Sequence, residues 1–287
     1  MTGLKDEQYN DSHKFKARID LHRRFGTNPY PWPLWVFDRF RKEDGLKVLE
    51  LGCGTGMLWK VNKARIPGRW EIILSDFSEG MLRDAEGNVG EAAAAIRYEV
   101  VDIENIPYGN HQFDMIIANH MLYHVPDRKK AFAEIKRVLK PEGTFCATTM
   151  SRMYMKEIKV IIRDYLFLKH GVSRNQEEDL NTVIGNFCLE NGEDQMREFF
   201  GTIQRELYEN TLMVREAEPL VEYLYSCAGI SRESARINRI DKTSLMEYVN
   251  CTLCEKGTIP IPADFILYTA RNRNQREGTG TGRGEEP

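Results

Sequence analysis

The run Lys47-Val48-Leu49-Glu50-Leu51-Gly52-Cys53-Gly54-Thr55-Gly56 constrains this chain more than any other stretch. A short apolar run holding one acid breaks into glycine at every second position, which reads as a buried strand, a tight turn and the start of a helix. Glycine has no β-carbon, so the backbone can enter the left-handed region and a ligand can lie directly on it. The expectation is a cofactor loop. The dinucleotide fingerprint G-x-G-x-x-G would require glycine at 57, where Met57 stands, and it seats a pyrophosphate on backbone N–H groups.

Glu50 at the mouth of the turn opposes that anion. A carboxylate there attracts a cation instead, such as the ammonium and sulfonium groups of S-adenosylmethionine. The next segments carry further acids. Glu71-Ile72-Ile73-Leu74-Ser75-Asp76 reads as a second buried strand, ending in an acid about twenty residues past the loop, the spacing at which a carboxylate reaches ribose hydroxyls. Phe77 follows, with Ser78 as N-cap of a helix that includes Met81. A third strand ends near Asp102-Ile103. Residues 111–118 read as a fourth strand, followed by Asn119, His120, Tyr123, His124 and Asp127. The helix from Asp127 puts Ala131, Phe132, Ile135, Val138 and Leu139 on one face and ends at Lys140-Pro141-Glu142-Gly143, before a fifth strand over 144–150.

The E-L-G-C-G-T-G run resembles motif I of the class I S-adenosylmethionine-dependent methyltransferases. Asp76-Phe77-Ser78-Glu79-Gly80-Met81-Leu82 is similar to a recurrent Asp-x-Ser-x-x-Met-Leu pattern of that family, and Asp102-Ile103 to its third motif. The order F-D, L-x-H-V-x-D and V-L-K-P-G-G is usual there; here Glu142 replaces the first glycine of the last. The resemblance covers residues 46–150 closely and 207–271 loosely, and its wording is nearest to small-molecule methyltransferases of the menaquinone and natural-product type. It implies an α/β, Rossmann-like, seven-stranded sheet with strand 7 antiparallel, helices on both faces and a helical cap. It also implies S-adenosylmethionine as cofactor, held by Glu50, Gly52, Gly54, Gly56, Asp76, Phe77, Met81, Asp102, Ile103 and Asn119. In that pattern the Asp102 acid binds the adenine amine and the next backbone N–H meets a ring nitrogen.

The remaining chain divides into an N-terminal helical lid over 1–43, the cofactor-binding core over 44–150, a helical cap over 151–206, the end of the core with strands 6 and 7 over 207–272, and a disordered tail over 273–287. In the lid, a helix over 12–25 precedes Asn28-Pro29-Tyr30-Pro31-Trp32-Pro33-Leu34-Trp35. Three alternating prolines there predict a stiff extended segment, either a clasp for the helix or a lid over an apolar substrate. By resemblance to related enzymes with N-terminal helical lids, Tyr9, Asn10, His13 and Arg18 are expected to close over the cofactor and reach the substrate, Tyr9 as a candidate catalytic residue. The cap reads as helices over 152–169, 177–189 and 194–206; beyond it come a strand over 206–214, a helix over 219–226 and a strand over 264–270.

His120 and His124 lie past strand 4, at the edge where open α/β sheets bind ligands, and either is placed to act as a base with a pKa near neutrality. Met121 replaces the glutamate of H-E-x-x-H, which excludes the zinc-protease reading. Composition narrows the partners. A net charge of -3 over 287 residues, with a pI near 6.1, gives no global basic footprint for nucleic acid. The six cysteines are scattered, with one C-x-x-C at Cys251 and Cys254, so no metal site is expected. With no N-terminal signal segment and no apolar run of ~18 residues, the expectation is a cytoplasmic protein with reduced thiols and no membrane span. The expected acceptor is a small, partly apolar organic molecule methylated on oxygen, nitrogen or carbon. Alternatives are a non-catalytic S-adenosylmethionine-binding regulatory module and an RNA or protein methyltransferase. The sequence leaves the oligomeric state open, a homodimer included.

Overall fold

The computed structural model describes residues 12–92, 94–172, 183–227 and 234–272. Tyr9, Asn10, residues 177–182 of the helix expected over 177–189, and the tail over 273–287 lie outside the described residues. The chain enters through helices α1 (Ser12–Phe25) and α2 (Trp32–Asp38) and then alternates strand and helix. β1 (Lys47–Leu51) leads to α3 (Met57–Asn62), β2 (Glu71–Asp76) to α4 (Glu79–Val89), and β3 (Ala95–Val100) by a loop to β4 (Phe113–Asn119). α5 (Arg128–Val138) and β5 (Leu139–Thr149) follow, then α6 (Lys156–His170), α7 (Gly192–Arg197), β6 (Ile203–Tyr208) and β7 (Thr211–Val214). The described chain closes with α8 (Ala217–Ser226), α9 (Lys242–Lys256), β8 (Ile259–Pro262) and β9 (Phe265–Arg271).

Seven strands form one sheet in the order β3-β2-β1-β4-β5-β9-β6. β1 to β5 pair in parallel, and β9 runs antiparallel between β5 and β6. β1, β2 and β4 are near-continuous apolar runs because helices cover both faces of the sheet. The chain builds outward from β1 to β3 and then returns to β4 on the other side of β1. That reversal places the switch point between β1 and β4, where such sheets take their ligands. Two apolar cores flank the sheet: Phe113, Phe132, Phe145 and Phe200 stand in one, Phe37, Trp59 and Trp70 in the other.

A third core lies off the sheet. Leu21 and Phe25 of α1 pack with Ile158, Ile161 and Tyr165 of α6, and with residues of α8, α9, β7 and β8. Of residues 207–272, which the sequence reading assigns to the end of the core, most of 211–262 therefore belongs to this cap; the sheet takes β6 and β9.

Several local expectations differ from the structure for physical reasons. The segment expected to be extended turns into α2 at Trp32, with Pro33 in the first turn, where the N–H that proline lacks would be unpaired in any case. The helix expected over 194–206 stops at Arg197, and 203–208 becomes the edge strand β6 against β9. The strand expected over 206–214 is broken by Asn210, whose N–H donates to Asp264 Oδ1 (2.7 Å) and whose carbonyl accepts from Ala263 N (2.8 Å). The helix expected to reach 189 is a single 3-10 turn at Val183–Asn186 where it is described.

Candidate functional site

The glycine loop takes the conformation only glycine adopts freely, with φ of +70° at Gly52, +54° at Gly54 and +68° at Gly56. The three positions differ in what surrounds them. A β-carbon on Gly52 would lie 2.9 Å from Met121 Cγ, and one on Gly56 2.9 Å from Val89 Cγ2 and 3.1 Å from Ala85 Cβ. One on Gly54 would meet nothing within 4 Å. The outer glycines serve packing, and the middle one presents bare backbone to open space.

Two acids flank that surface. Glu50 is only 2 % exposed, yet its carboxylate is satisfied: Trp59 Nε1 donates to Oε2 and Asn119 Nδ2 donates to Oε1 (2.9 Å). Burial pushes its pKa up to about 7; the two hydrogen bonds oppose that rise and the nearby Asp76 charge adds to it. Thr148 Oγ1 donates to Asn119 Oδ1 (3.1 Å), so β1, β4 and β5 together hold this end of the site. Asp76 accepts from Gly54 N (3.0 Å) at one oxygen and from Ser78 N (2.9 Å) at the other. Burial raises its pKa, against the pull of those N–H groups.

Beyond Asp76, Phe77 is 68 % exposed, a large apolar ring left in solvent at the carboxyl edge of the sheet. Met81, assigned with it to the cofactor, is buried to 2 % within the fold, and its N–H is capped by Ser78 Oγ (3.4 Å). Asp102 is exposed and accepts from Glu104 N (2.9 Å), while Ile103 is buried. Gly52, Gly54, Glu50, Asp76, Phe77, Asp102 and Asn119 thus line the strand ends, and Met81 sits beneath them.

The histidines part company. His120 has φ of +50°, which takes it off any helix, so the i, i+4 spacing with His124 does not put the two on one helix face. Its N–H donates to Thr148 O (3.1 Å), and its ring packs on Trp32 (5.0 Å) and Phe265 (4.7 Å). Burial, with the His22 charge adding to it, pulls its pKa down to about 3. The expectation of a pKa near neutrality is corrected for this residue: α2 and β9 close over a ring that local sequence places in solvent. His124 ends a 3-10 turn, Leu122–His124, with its ring against Tyr123 (4.6 Å).

Sequence reasoning assigned no role to His22. Its Nε2 is 2.8 Å from the hydroxyl of Tyr154, and burial holds its pKa at about 4. The aromatic run over 30–35 pointed to Trp32; nothing local pointed to His22 or Tyr154. Among the described residues no group of three or more His, Cys, Asp and Glu is placed to hold a metal ion, and no helix is long and apolar enough to cross a membrane.

The sheet order, the left-handed glycine loop and the acids at successive strand ends are those of a Rossmann-like class I methyltransferase fold. Residues 49–147 match the family described as methyltransferase domain. Over 122 residues the chain is 29% identical to the ubiquinone/menaquinone biosynthesis C-methyltransferase UbiE of Bordetella avium, covering 42% of this chain and 48% of that protein. Over 147 residues it is 33% identical to malonyl-acyl-carrier-protein O-methyltransferase of Erwinia pyrifoliae, covering 51% of each. The chain spans about half the length of these curated relatives. In fold it is similar to phosphoethanolamine N-methyltransferase 2 of Haemonchus contortus, at a TM-score of 0.54 and 18% identity, over 94% of this chain and 59% of that one. It is also similar to the YcgJ protein of Bacillus subtilis, at 0.52 and 16%, over 84% and 98%.

Proposed function

We propose that this protein transfers the methyl group of S-adenosylmethionine to a small, partly apolar organic acceptor. The observation that carries the reading is the open, left-handed Gly54 between the buried Glu50 carboxylate and Asp76. Glu50, steadied by Trp59 and Asn119, holds the cationic methionine end, and its burial strengthens that attraction by keeping water away. Asp76 has lone pairs left for ribose hydroxyls after accepting from the loop. Phe77 and Ile103 flank the adenine, and Asp102 accepts from its amine. When bound, the cofactor supplies an electrophilic methyl group on a sulfonium whose thioether is already a good leaving group.

The protein's remaining work is alignment of the acceptor and, where the acceptor carries a proton, its removal. Of the two histidines past β4, His124 is assigned that role, because His120 is held uncharged and weakly basic. Tyr9 is assigned to the lid over the same acceptor. Two observations support a small acceptor over RNA: the net charge of -3 and the aromatic side chains of α2 above the end of β4. The two relatives named above, a C-methyltransferase and an O-methyltransferase, support the same reading. Incubation of the purified protein with methyl-labelled S-adenosylmethionine and a metabolite extract tests the reading. Label is expected in a low-mass organic compound; label found only in RNA or protein would overturn it.

A further inference from the structure

Four rings from distant parts of the chain surround one side chain. His22 on α1, Trp32 on α2, His120 after β4 and Tyr154 after β5 stand with ring centroids 5.6, 5.8, 4.7 and 5.7 Å from that of Phe265, at the start of β9. This ring cluster adjoins the anchor of the cofactor's cationic end. His120 follows Asn119, whose amide donates to Glu50, and both residues hydrogen-bond to Thr148.

Aromatic packing does not account for the polar atoms here. His22 Nδ1, Trp32 Nε1 and His120 Nδ1 are buried without a hydrogen-bond partner among the described residues. Buried polar groups in native proteins are nearly always paired, so three unpaired nitrogens in one cluster mark a place where something else supplies the partner.

We propose that this ring cluster is the acceptor-binding site and that it selects an uncharged, flat, oxygen-bearing molecule, held by the Trp32 N–H and the two imidazoles; the proposal rests on the methyl-transfer reading above. The indole N–H donates in every state and needs a lone pair, which an ammonium group does not have. That excludes an alkylammonium acceptor even though aromatic walls attract cations. An anion is disfavoured because the described rings of this cluster carry no positive charge to meet it. Both histidines are held uncharged by burial, and the guanidinium of Arg18 on α1 is spent on Ser226, through Nη2 to the carbonyl (2.5 Å) and Nε to Oγ (3.3 Å). A neutral imidazole offers Nδ1 as donor or acceptor according to its tautomer, so it matches either a carbonyl or a hydroxyl. Flatness follows from the walls, which are aromatic rings, Trp32 and His120 meeting Phe265 edge to face at interplanar angles of 70° and 61°, and such rings pack best against another flat group.

The test uses the full chain saturated with S-adenosylhomocysteine, whose binding is measured first. Four probes of one size are then titrated by ligand-observed NMR: 4-methylphenol, toluene, 4-methylbenzoate and benzylammonium. The phenol is expected to bind at least tenfold tighter than the other three. Trp32→Phe, which keeps a ring and removes the N–H, is expected to lower phenol affinity about threefold to tenfold, the loss of one neutral hydrogen bond, with S-adenosylhomocysteine affinity unchanged. His22→Phe gives an independent second reading should the first variant fold poorly. Toluene binding as tightly as the phenol, a charged probe binding tighter, wild-type affinity in both variants, or no probe binding to the loaded protein would each overturn the proposal. Failure of S-adenosylhomocysteine itself to bind sinks the methyltransferase reading first, and this proposal with it.

Discussion

Glu50, which we propose holds the cationic end of the cofactor, would serve binding at the expense of stability. Its pKa is 4.5 in an ordinary setting and about 7 here, so between those values the cofactor-free fold holds a proton that the unfolded chain has lost. Its contribution is therefore fully present below about 4.5 and is lost as pH rises through about 7, a burden of about 3 kcal/mol at higher pH. Glu50→Gln is expected to raise the melting temperature of the cofactor-free protein at pH 8 and to lower S-adenosylmethionine affinity tenfold or more. A cationic ligand selects the ionised form, so wild-type affinity should climb as pH rises toward 7 and level off above it, with proton release on binding below that point. Calorimetry in two buffers of different ionisation enthalpy reads both; a pH-independent affinity in the wild type would contradict the assignment. The glycines make a second test at this scale. Gly54→Ala should cost only the left-handed strain of about 1 kcal/mol while blocking the ligand face. Gly56→Ala adds contacts at 2.9 and 3.1 Å and should cost about 2–4 kcal/mol. Denaturant melts set beside cofactor titrations separate them: if the two variants lose stability and affinity in the same proportion, Gly54 is not the ligand-facing position.

Among the elements, α5 holds the loop that carries the third acid. The Arg137 guanidinium forks onto Glu134 through Nε and Nη2 (both 2.7 Å), and its nitrogens also donate to Tyr108 O (2.6 Å) and Ile106 O (2.9 Å). Glu134 in turn accepts from Ile106 N (2.9 Å), and Arg137 holds its carboxyl below the usual range. Arg137→Ala should release the loop after Asp102, weaken S-adenosylhomocysteine about threefold to tenfold and speed amide exchange over 103–109. Arg137→Lys should not restore the affinity, because an ammonium cannot make the fork. Full affinity in the alanine variant would show the loop to be held by its apolar residues alone. The elements that sequence reveals are those whose evidence is local. β1, β2 and β4 are apolar throughout, and α4 and α5 start at Ser78 and Asp127, which cap Met81 N and Lys130 N as their residue types promise. β6 escapes because its Gln204, Arg205 and Glu206 lie exposed on an edge and show no alternation; only pairing with β9 makes them a strand. α9 escapes because it buries a narrow stripe, Leu245, Val249 and Leu253, among polar neighbours. The same division holds at the site. The glycine loop and the acids are contiguous motifs, whereas His22, Trp32, Tyr154 and Phe265 become neighbours only through the tertiary fold.

For the molecule as a whole, the ring cluster sits where two cores meet. Tyr154 packs against the cap core and Trp32 and Phe265 against one sheet core, so the acceptor site proposed above depends on how firmly the cap is seated. The cofactor surface around Gly54 and Glu50, by contrast, is built from β1, β2 and β4 without any residue of the cap core. Loosening the cap should therefore spare the cofactor and harm the acceptor. Leu21 on α1 is wholly buried in the cap core, and its truncation to alanine should cost about 2–5 kcal/mol there. In Leu21→Ala, S-adenosylhomocysteine affinity is expected to stay within about threefold of wild type, while 4-methylphenol affinity falls at least tenfold and amide exchange rises in α1, α6 and α8 ahead of β1 to β5. Leu21→Val removes less volume and should give the same pattern at smaller amplitude if alanine prevents folding. Should cofactor affinity fall in step with the phenol, or exchange rise equally in both cores, cap and sheet unfold as one cooperative unit and the acceptor site has no separate stability to lose.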